Sequence, residues 1–292
     1  MYELCNLTGN TYYINCPAKI GLYVENDSSA YLIDSGNDKD AGKKVKKILE
    51  ENNWNLKAII NTHSHADHIG GNKYLQNTYS CKIYAKGIER AFTDSPILEP
   101  SFLNGSYPSK NLLHKFLFAQ DSECDDIKFA NLPKGFEIID LPGHSFEMIG
   151  VRTPDNVTFI ADSISSPATI EKYGISYIYN VDEYIKTLDK LCTLKSNFFV
   201  PSHCEICSDL QDIVTVNKDK VFEITDIICK ALISPKSFEQ LLAYLFEKYV
   251  LTMSNEQYVL IGSTVKSYLS YLIDKDKIES YFENNIMLWK SL

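Results

Sequence analysis

The sequence predicts an α/β fold that carries a small α+β unit at its C-terminal end. Two observations carry this expectation. Four short apolar runs, Leu56 to Ile60, Phe136 to Leu141, Val157 to Ile160 and Phe198 to Val200, read as buried strands, and a histidine or aspartate follows each within three residues. α/β proteins place their sites at the carboxyl ends of strands in this way. Beyond residue 222 the pattern changes to two helical segments and a hairpin, which sets residues 1–221 apart from 222–292.

The elements follow in chain order. Residues 10–36 alternate strand-like runs and turns, including Ala18 to Val24 and Ala30 to Ile33. Residues 39–51 form a Lys-rich amphipathic helix with Val45, Ile48 and Leu49 on one face. The strand Leu56 to Ile60 runs into a polar loop, and Gly70 and Gly71 permit a tight turn into the next helix. Residues 82–85 form a short strand. The stretch from about 86 to 134, with Phe102, Tyr107, Phe116 and Phe118, is an insert that acts as a lid or packs as a helical decoration. Tyr173, Tyr177 and Tyr179 follow the third strand, with aromatic core packing as their expected role and contact with substrate as the alternative.

The chemistry concentrates in Asn61-Thr62-His63-Ser64-His65-Ala66-Asp67-His68-Ile69-Gly70-Gly71. Four metal-capable side chains fall within six residues, and three of the six histidines of the chain are among them. Imidazole suits zinc-like metals, and a carboxylate adds an anionic oxygen. His144 follows Pro142-Gly143, Asp162 follows Ala161, and His203 follows Pro201-Ser202. Three further ligand types at strand ends point to one shared site. His114 lies in a polar and aromatic stretch and is read as a non-ligand.

The run Thr62-His63-Ser64-His65-Ala66-Asp67-His68, then Pro142-Gly143-His144, Asp162 and His203, resembles the signature of the metallo-β-lactamase superfamily over residues 10–210. Tyr31-Leu32-Ile33-Asp34-Ser35-Gly36 is similar to the family's strand ending in an Asp-Ser/Thr-Gly turn. The resemblance implies an αββα sandwich holding two metal ions, zinc first, with iron or manganese as alternatives. It implies that His63, His65 and His144 bind one ion, that Asp67, His68 and His203 bind the other, and that Asp162 bridges them. Two positions depart from the pattern. Ser202 and Cys204 flank the last histidine where glycine is usual, and Ala161 replaces the glycine before the bridging aspartate.

Within the family, the pattern points to the glyoxalase II-like hydrolases. β-Lactamases carry Cys or Ser at the position of Asp162, flavodiiron proteins carry Glu at His65, and RNA-processing members need a larger insert between Asp162 and His203. The implied reaction uses a water bridged by two metals, whose pKa falls toward neutrality, on a small ester, thioester or lactone. Asp67 would orient that water and carry its proton. The alternatives on the same ligands are a metallo-nuclease and an iron-dependent persulfide dioxygenase.

Composition narrows the classes further. Of 292 residues, 45% are hydrophobic, which suits a packed globular protein. A net charge of −9 argues against a surface built for nucleic acid or anionic membrane. No uninterrupted apolar run is long enough to span a bilayer, the first residues lack the pattern of a signal peptide, and eight dispersed cysteines suit a reducing cytoplasm. Cys204 and Cys207 form a C-x-x-C beside His203; Cys204 lining the site without doing chemistry is the expected reading, with a redox or additional metal role as the alternative.

At the C-terminal end, Ser237 to Tyr249, opened by Ser234-Pro235, and Glu256 to Ile273 read as helices. Ile278 to Phe282 and Ile286 to Trp289 read as a hairpin. This order resembles the winged-helix appendage of some superfamily members. From Ile224 onward there are seven lysines and no arginine against eight carboxylates, so the footprint of a nucleic-acid binder is missing. The apolar face of Leu241, Leu242, Leu245 and Phe246 must then be buried at the mouth of the site or in a homodimer. A small-molecule substrate is the expected partner.

Overall fold

The computed structural model describes residues 2–292. Two β-sheets face one another. The first has seven strands in chain order: β1 (Glu3–Thr8), β2 (Thr11–Asn15), β3 (Ile20–Val24), β4 (Ser29–Ile33), β5 (Asn55–Ile60), β6 (Lys82–Ala85) and β7 (Asp125–Asp126). Strands β1 to β4 pair antiparallel, and β4 to β7 pair parallel. Parallel neighbours need a crossover. Helix α1 (Lys39–Glu51) supplies the first, and α2 (Ala66–Ile69) with α3 (Asn72–Tyr79) supplies the second. Asp38 caps α1, its Oδ1 accepting from the Ala41 amide at 2.9 Å. Val45, Ile48 and Leu49 are buried, as the amphipathic pattern predicts.

The second sheet has the order β11 (Phe198–Pro201), β10 (Val157–Ala161), β9 (Ile149–Arg152), β8 (Glu137–Asp140). Its crossover contains α6 (Pro167–Tyr173) and α7 (Val181–Leu191). Ile33 and Ile60 from the first sheet meet Ile149, Val151, Phe159 and Val200 from the second in one buried cluster. These strands are apolar on both faces because the helices cover their outer sides. All four strands read from the apolar runs are present.

The insert holds α4 (Gly87–Asp94) and α5 (Leu98–Asn104), two single 3-10 turns and the short edge strand β7. The C-terminal segment continues from α8 (Gln211–Ala231) through α9 (Phe238–Lys248), α10 (Asn255–Asp274) and the hairpin β12 (Ile278–Glu283) and β13 (Ile286–Ser291). The α9 cap is Ser237, which forms a capping box with Gln240, so Ser234-Pro235 lies outside the helix start. Asn284 and Asn285 turn the hairpin with φ of 51° and 61°, the left-handed pair a two-residue turn requires. The expected boundary between residues 221 and 222 falls inside α8, one continuous helix. Leu188, Val221, Ile228, Leu241, Leu245, Val265 and Tyr268 belong to a single apolar cluster that also reaches Ile160 of the second sheet.

Candidate metal centre

The register Ile33↔Ile60 brings the carboxyl ends of β4 and β5 side by side. Asp34 therefore sits beside Thr62. Its Oδ1 accepts from the Thr62 amide at 2.8 Å, and its Oδ2 accepts from the Thr62 hydroxyl at 2.7 Å and from His68 Nδ1 at 2.8 Å. Thr62 Oγ1 in turn accepts from His63 Nδ1 at 3.1 Å. One carboxylate thus aims two histidines, leaving the Nε2 atom of each free. Gly71 lets the turn after His68 close, since a Cβ there would stand 2.3 Å from the Ser35 carbonyl oxygen.

The second sheet delivers the remaining residues. The Ile149 amide donates to Thr62 O at 2.9 Å and joins the two sheets at the site. Gly143, at φ 119°, runs against the α7 backbone at Tyr184 and turns His144 inward. His144 Nδ1 donates to Tyr177 O at 3.2 Å, and His203 Nδ1 donates to Pro17 O at 2.9 Å. These outer hydrogen bonds point each Nε2 at the centre.

All seven residues singled out in the sequence converge. His63 Nε2 and His144 Nε2 lie 3.0 and 3.1 Å from His65 Nδ1. His68 Nε2 lies 3.4 Å from Asp162 Oδ1, and His203 Nε2 lies 3.1 Å from Asp67 Oδ2 and 3.4 Å from Asp162 Oδ2. Three groups have donor atoms close enough to hold an ion: His63, His65 and His144; His63, His68 and Asp162; Asp67, His68 and His203. His114 belongs to none of them and lies 3.9 Å from Glu256. His68 Nε2 and Asp162 Oδ1 are buried without a hydrogen-bond partner, a state that costs about 1–3 kcal/mol per group. A cation between them would satisfy both, so the donor set fits a metal.

The electrostatics divide the site. Burial holds His63 well below the ordinary histidine pKa and lowers His65 and His144 to about 4, so these three are neutral. Asp162 raises His203 to about 10. Burial opposes the charge on His68, but Asp162, Asp67 and Asp34 outweigh it and hold its pKa well above the ordinary value. Burial likewise opposes the charge on Asp67, but His68 and His203 bring its pKa down to about 2.

A cavity of about 650 Å³ opens from His144, Asp162 and His203 and runs between α6 and α10. Glu256, Leu260, Ile261 and Thr264 of α10 form one wall, and Lys19 and Lys172 also line it. Tyr173 and Tyr177 line this cavity as well, contrary to the core-packing expectation, because the chain after α6 loops back over His144. Tyr179 does pack among aromatic rings, 4.0 Å from Phe146. Cys204 is not among the residues that line the cavity; it packs against the large apolar cluster, and its carbonyl accepts from Lys19 Nζ at 2.6 Å.

The insert covers the other side of the site. Leu103, Leu112 and Leu117 pack on Val259 of α10. Phe116, Leu117 and Glu99 line a smaller space with His65 and Asp67. Sequence reasoning passed over Asp34 as an orienting group, and also Glu89 and Glu99. Glu89 is fully buried, and Glu99 is 7% exposed with its Oε1 3.5 Å from His65 Nε2. Burial, with Glu89 and Asp67 nearby, raises Glu99 to about 8.

The chain is similar to known proteins. Residues 16–203 match the Metallo-beta-lactamase superfamily. A hydroxyacylglutathione hydrolase from Prochlorococcus marinus is 30% identical over 180 residues, covering 59% of this chain and 64% of its own. A Beta-lactamase-like protein 2 homolog from Drosophila melanogaster is 23% identical over 185 residues, covering 62% of this chain and 57% of its own. The chain therefore spans less than two thirds of the length of these relatives. A Beta-lactamase domain protein from Burkholderia ambifaria superposes over 99% of this chain and 94% of its own, with a TM-score of 0.77 at 12% identity. A metallo-beta-lactamase family protein from Thermus thermophilus does so over 100% and 98%, with a TM-score of 0.69 at 13% identity. At such identities these likenesses speak to the fold alone, which they share from end to end, including the C-terminal segment. A mixed α/β fold of this kind, with a family match over most of its length, belongs to the metallo-beta-lactamase superfamily.

Proposed function

We propose that this protein is a metal-dependent hydrolase that acts on a small ester, thioester or lactone. The observation that carries the reading is the pair of partnerless buried atoms, His68 Nε2 and Asp162 Oδ1, set among seven donors at the mouth of a cavity. His63, His65 and His144 would hold one ion, Asp67, His68 and His203 a second, and Asp162 would face both. Imidazole and carboxylate donors of this kind suit zinc. When bound, such ions would supply Lewis acidity and lower the pKa of water toward neutrality.

The chain's own residues do the rest. Asp67 is partly exposed toward the smaller space, where its carboxylate would orient the attacking water and carry its proton. The apolar walls of the main cavity, Ile164, Ile175 and Leu260, would seat the substrate and exclude bulk water. Lys19 and Lys172 would meet an anionic group on it. Thioester hydrolysis is further supported by the name of the Prochlorococcus relative.

We read residues 222–292 as a winged-helix-like unit that serves as a wall of the site. Its support is α10, which lines the cavity with five residues, and a charge balance that lacks the excess of cations nucleic acid requires. Metal analysis of protein purified without added metal, then an assay against thioesters, lactones and single-stranded RNA, tests the proposal. Two zinc ions per chain with thioester or lactone turnover is the expected result. Turnover of RNA alone, or iron with oxygen consumption, would overturn it.

A further inference from the structure

Two carboxylates of the insert have no part in the reading above. Glu89, on α4, makes four contacts. Its Oε2 accepts from the Ser64 amide at 3.0 Å and the Ser64 hydroxyl at 2.6 Å. Its Oε1 accepts from the Ser145 hydroxyl at 2.5 Å and the Glu147 amide at 3.0 Å. Ser64 lies between His63 and His65, and Ser145 follows His144. Glu89 therefore ties together the two loops that bear the three-histidine group. Glu99, on α5, faces the ring nitrogen of His65 that points away from His63 and His144.

Neither carboxylate is paired with a lysine or arginine among the described residues. A buried carboxylate stays ionised only where donors or a cation compensate it; Glu89 has four donors, and Glu99 has no lysine or arginine beside it. A glutamine in place of Glu89 would set its NH2 group against the Ser64 or the Glu147 amide N–H, so only a carboxylate accepts on both sides. A cation held by the three histidines would supply the missing positive charge, and carboxylates behind ligating imidazoles fix ring orientation and raise ligand basicity.

We propose that Glu89 and Glu99 are positioning residues for a metal held by His63, His65 and His144. The insert then forms the outer shell of that half of the site and is not a detachable cover. Glu89 sets the spacing of the two ligand loops, and Glu99 orients His65. The inference rests on the proposed reading of the three histidines as ligands.

The test is titration of the intact protein with Co²⁺, by visible absorption and chelator competition, with His63→Ala marking the band of the three-histidine ion. Glu89→Gln and Glu99→Leu are expected to weaken that ion by about 10- to 100-fold and shift its band, leaving the other ion unchanged. Glu99→Gln, which keeps an acceptor for His65 Nε2, is expected to retain most of the affinity. If Glu89→Gln does not fold, Ser145→Ala carries the same expectation at the lower end of the range. Unchanged affinity and spectrum in the variants would overturn the inference. So would equal weakening of both ions with a lowered unfolding midpoint, which marks a general structural role. Failure of the unmodified protein to take up Co²⁺ would instead sink the reading of the site itself.

Discussion

Asp34 Oδ2 lies 2.8 Å from His68 Nδ1, and both side chains are buried. Asp34 also has φ of 65°, a left-handed conformation that aspartate tolerates better than most residues. The strand end is thus turned so that its carboxylate reaches the motif loop of the neighbouring strand.

Asp34→Ala would leave the His68 ring and the Thr62 amide and hydroxyl without their acceptor. The expected outcome is a loss of about 1–3 kcal/mol in unfolding free energy for each orphaned group, several kcal/mol in all. Affinity for the ion at His68 is expected to fall by about 10- to 100-fold. Denaturant unfolding of metal-free protein and chelator competition measure the two effects separately.

Asp67→Ala is expected to abolish hydrolysis while the circular dichroism spectrum stays that of the parent. Asp67 is partly exposed and sits at the edge of the site, so its loss would remove the proposed ligand and proton carrier without opening the core. Activity near the parent level would refute this role.

Ala161 is 2% exposed and has φ of 49°, at the position where the resemblance leads one to expect glycine. A β-branched residue in this region is a genuine outlier. Ala161→Val is expected to destabilise the protein by about 2 kcal/mol or more, whereas Ala161→Gly stays within about 1 kcal/mol of the parent. Urea unfolding curves of the two variants decide the point.

The metal-free protein is expected to be most stable near pH 6.5. His65 and His144 have folded pKa values of about 4, below the unfolded value, so the unfolded chain takes up protons first as pH falls. Their contribution is complete above about pH 6.5 and is lost as pH falls toward 4. His203, raised to about 10, behaves oppositely. Its contribution is complete below about pH 6.5 and is lost as pH rises toward 10. Thermal melts from pH 4 to 10 in the presence of a chelator check the maximum. A monotonic dependence would contradict it.

Much of the site was legible in the chain because its residues announce themselves locally. Histidines and aspartates at fixed offsets from the ends of apolar runs are chemically distinctive, and strand ends in an α/β protein converge. The helix at 39–51 and the terminal hairpin were legible for the same reason, since periodicity and turn residues act over a few positions. Other features depend on packing between distant segments, and residue type carries no trace of that. Nothing in the sequence of the insert distinguishes Glu89 and Glu99 from its other carboxylates until α4 and α5 fold onto the ligand loops. Ala161 does not reveal its left-handed backbone, because φ is imposed by the bend between β10 and Asp162. The wall that α10 lends to the cavity depends on an apolar cluster running from Ile160 to Tyr268. The seven candidate donors could be named from the sequence alone. Their orientation, the charges behind them and the shape of the space they face were decided only by the tertiary structure, because burial and long-range hydrogen bonds act between residues far apart in the chain.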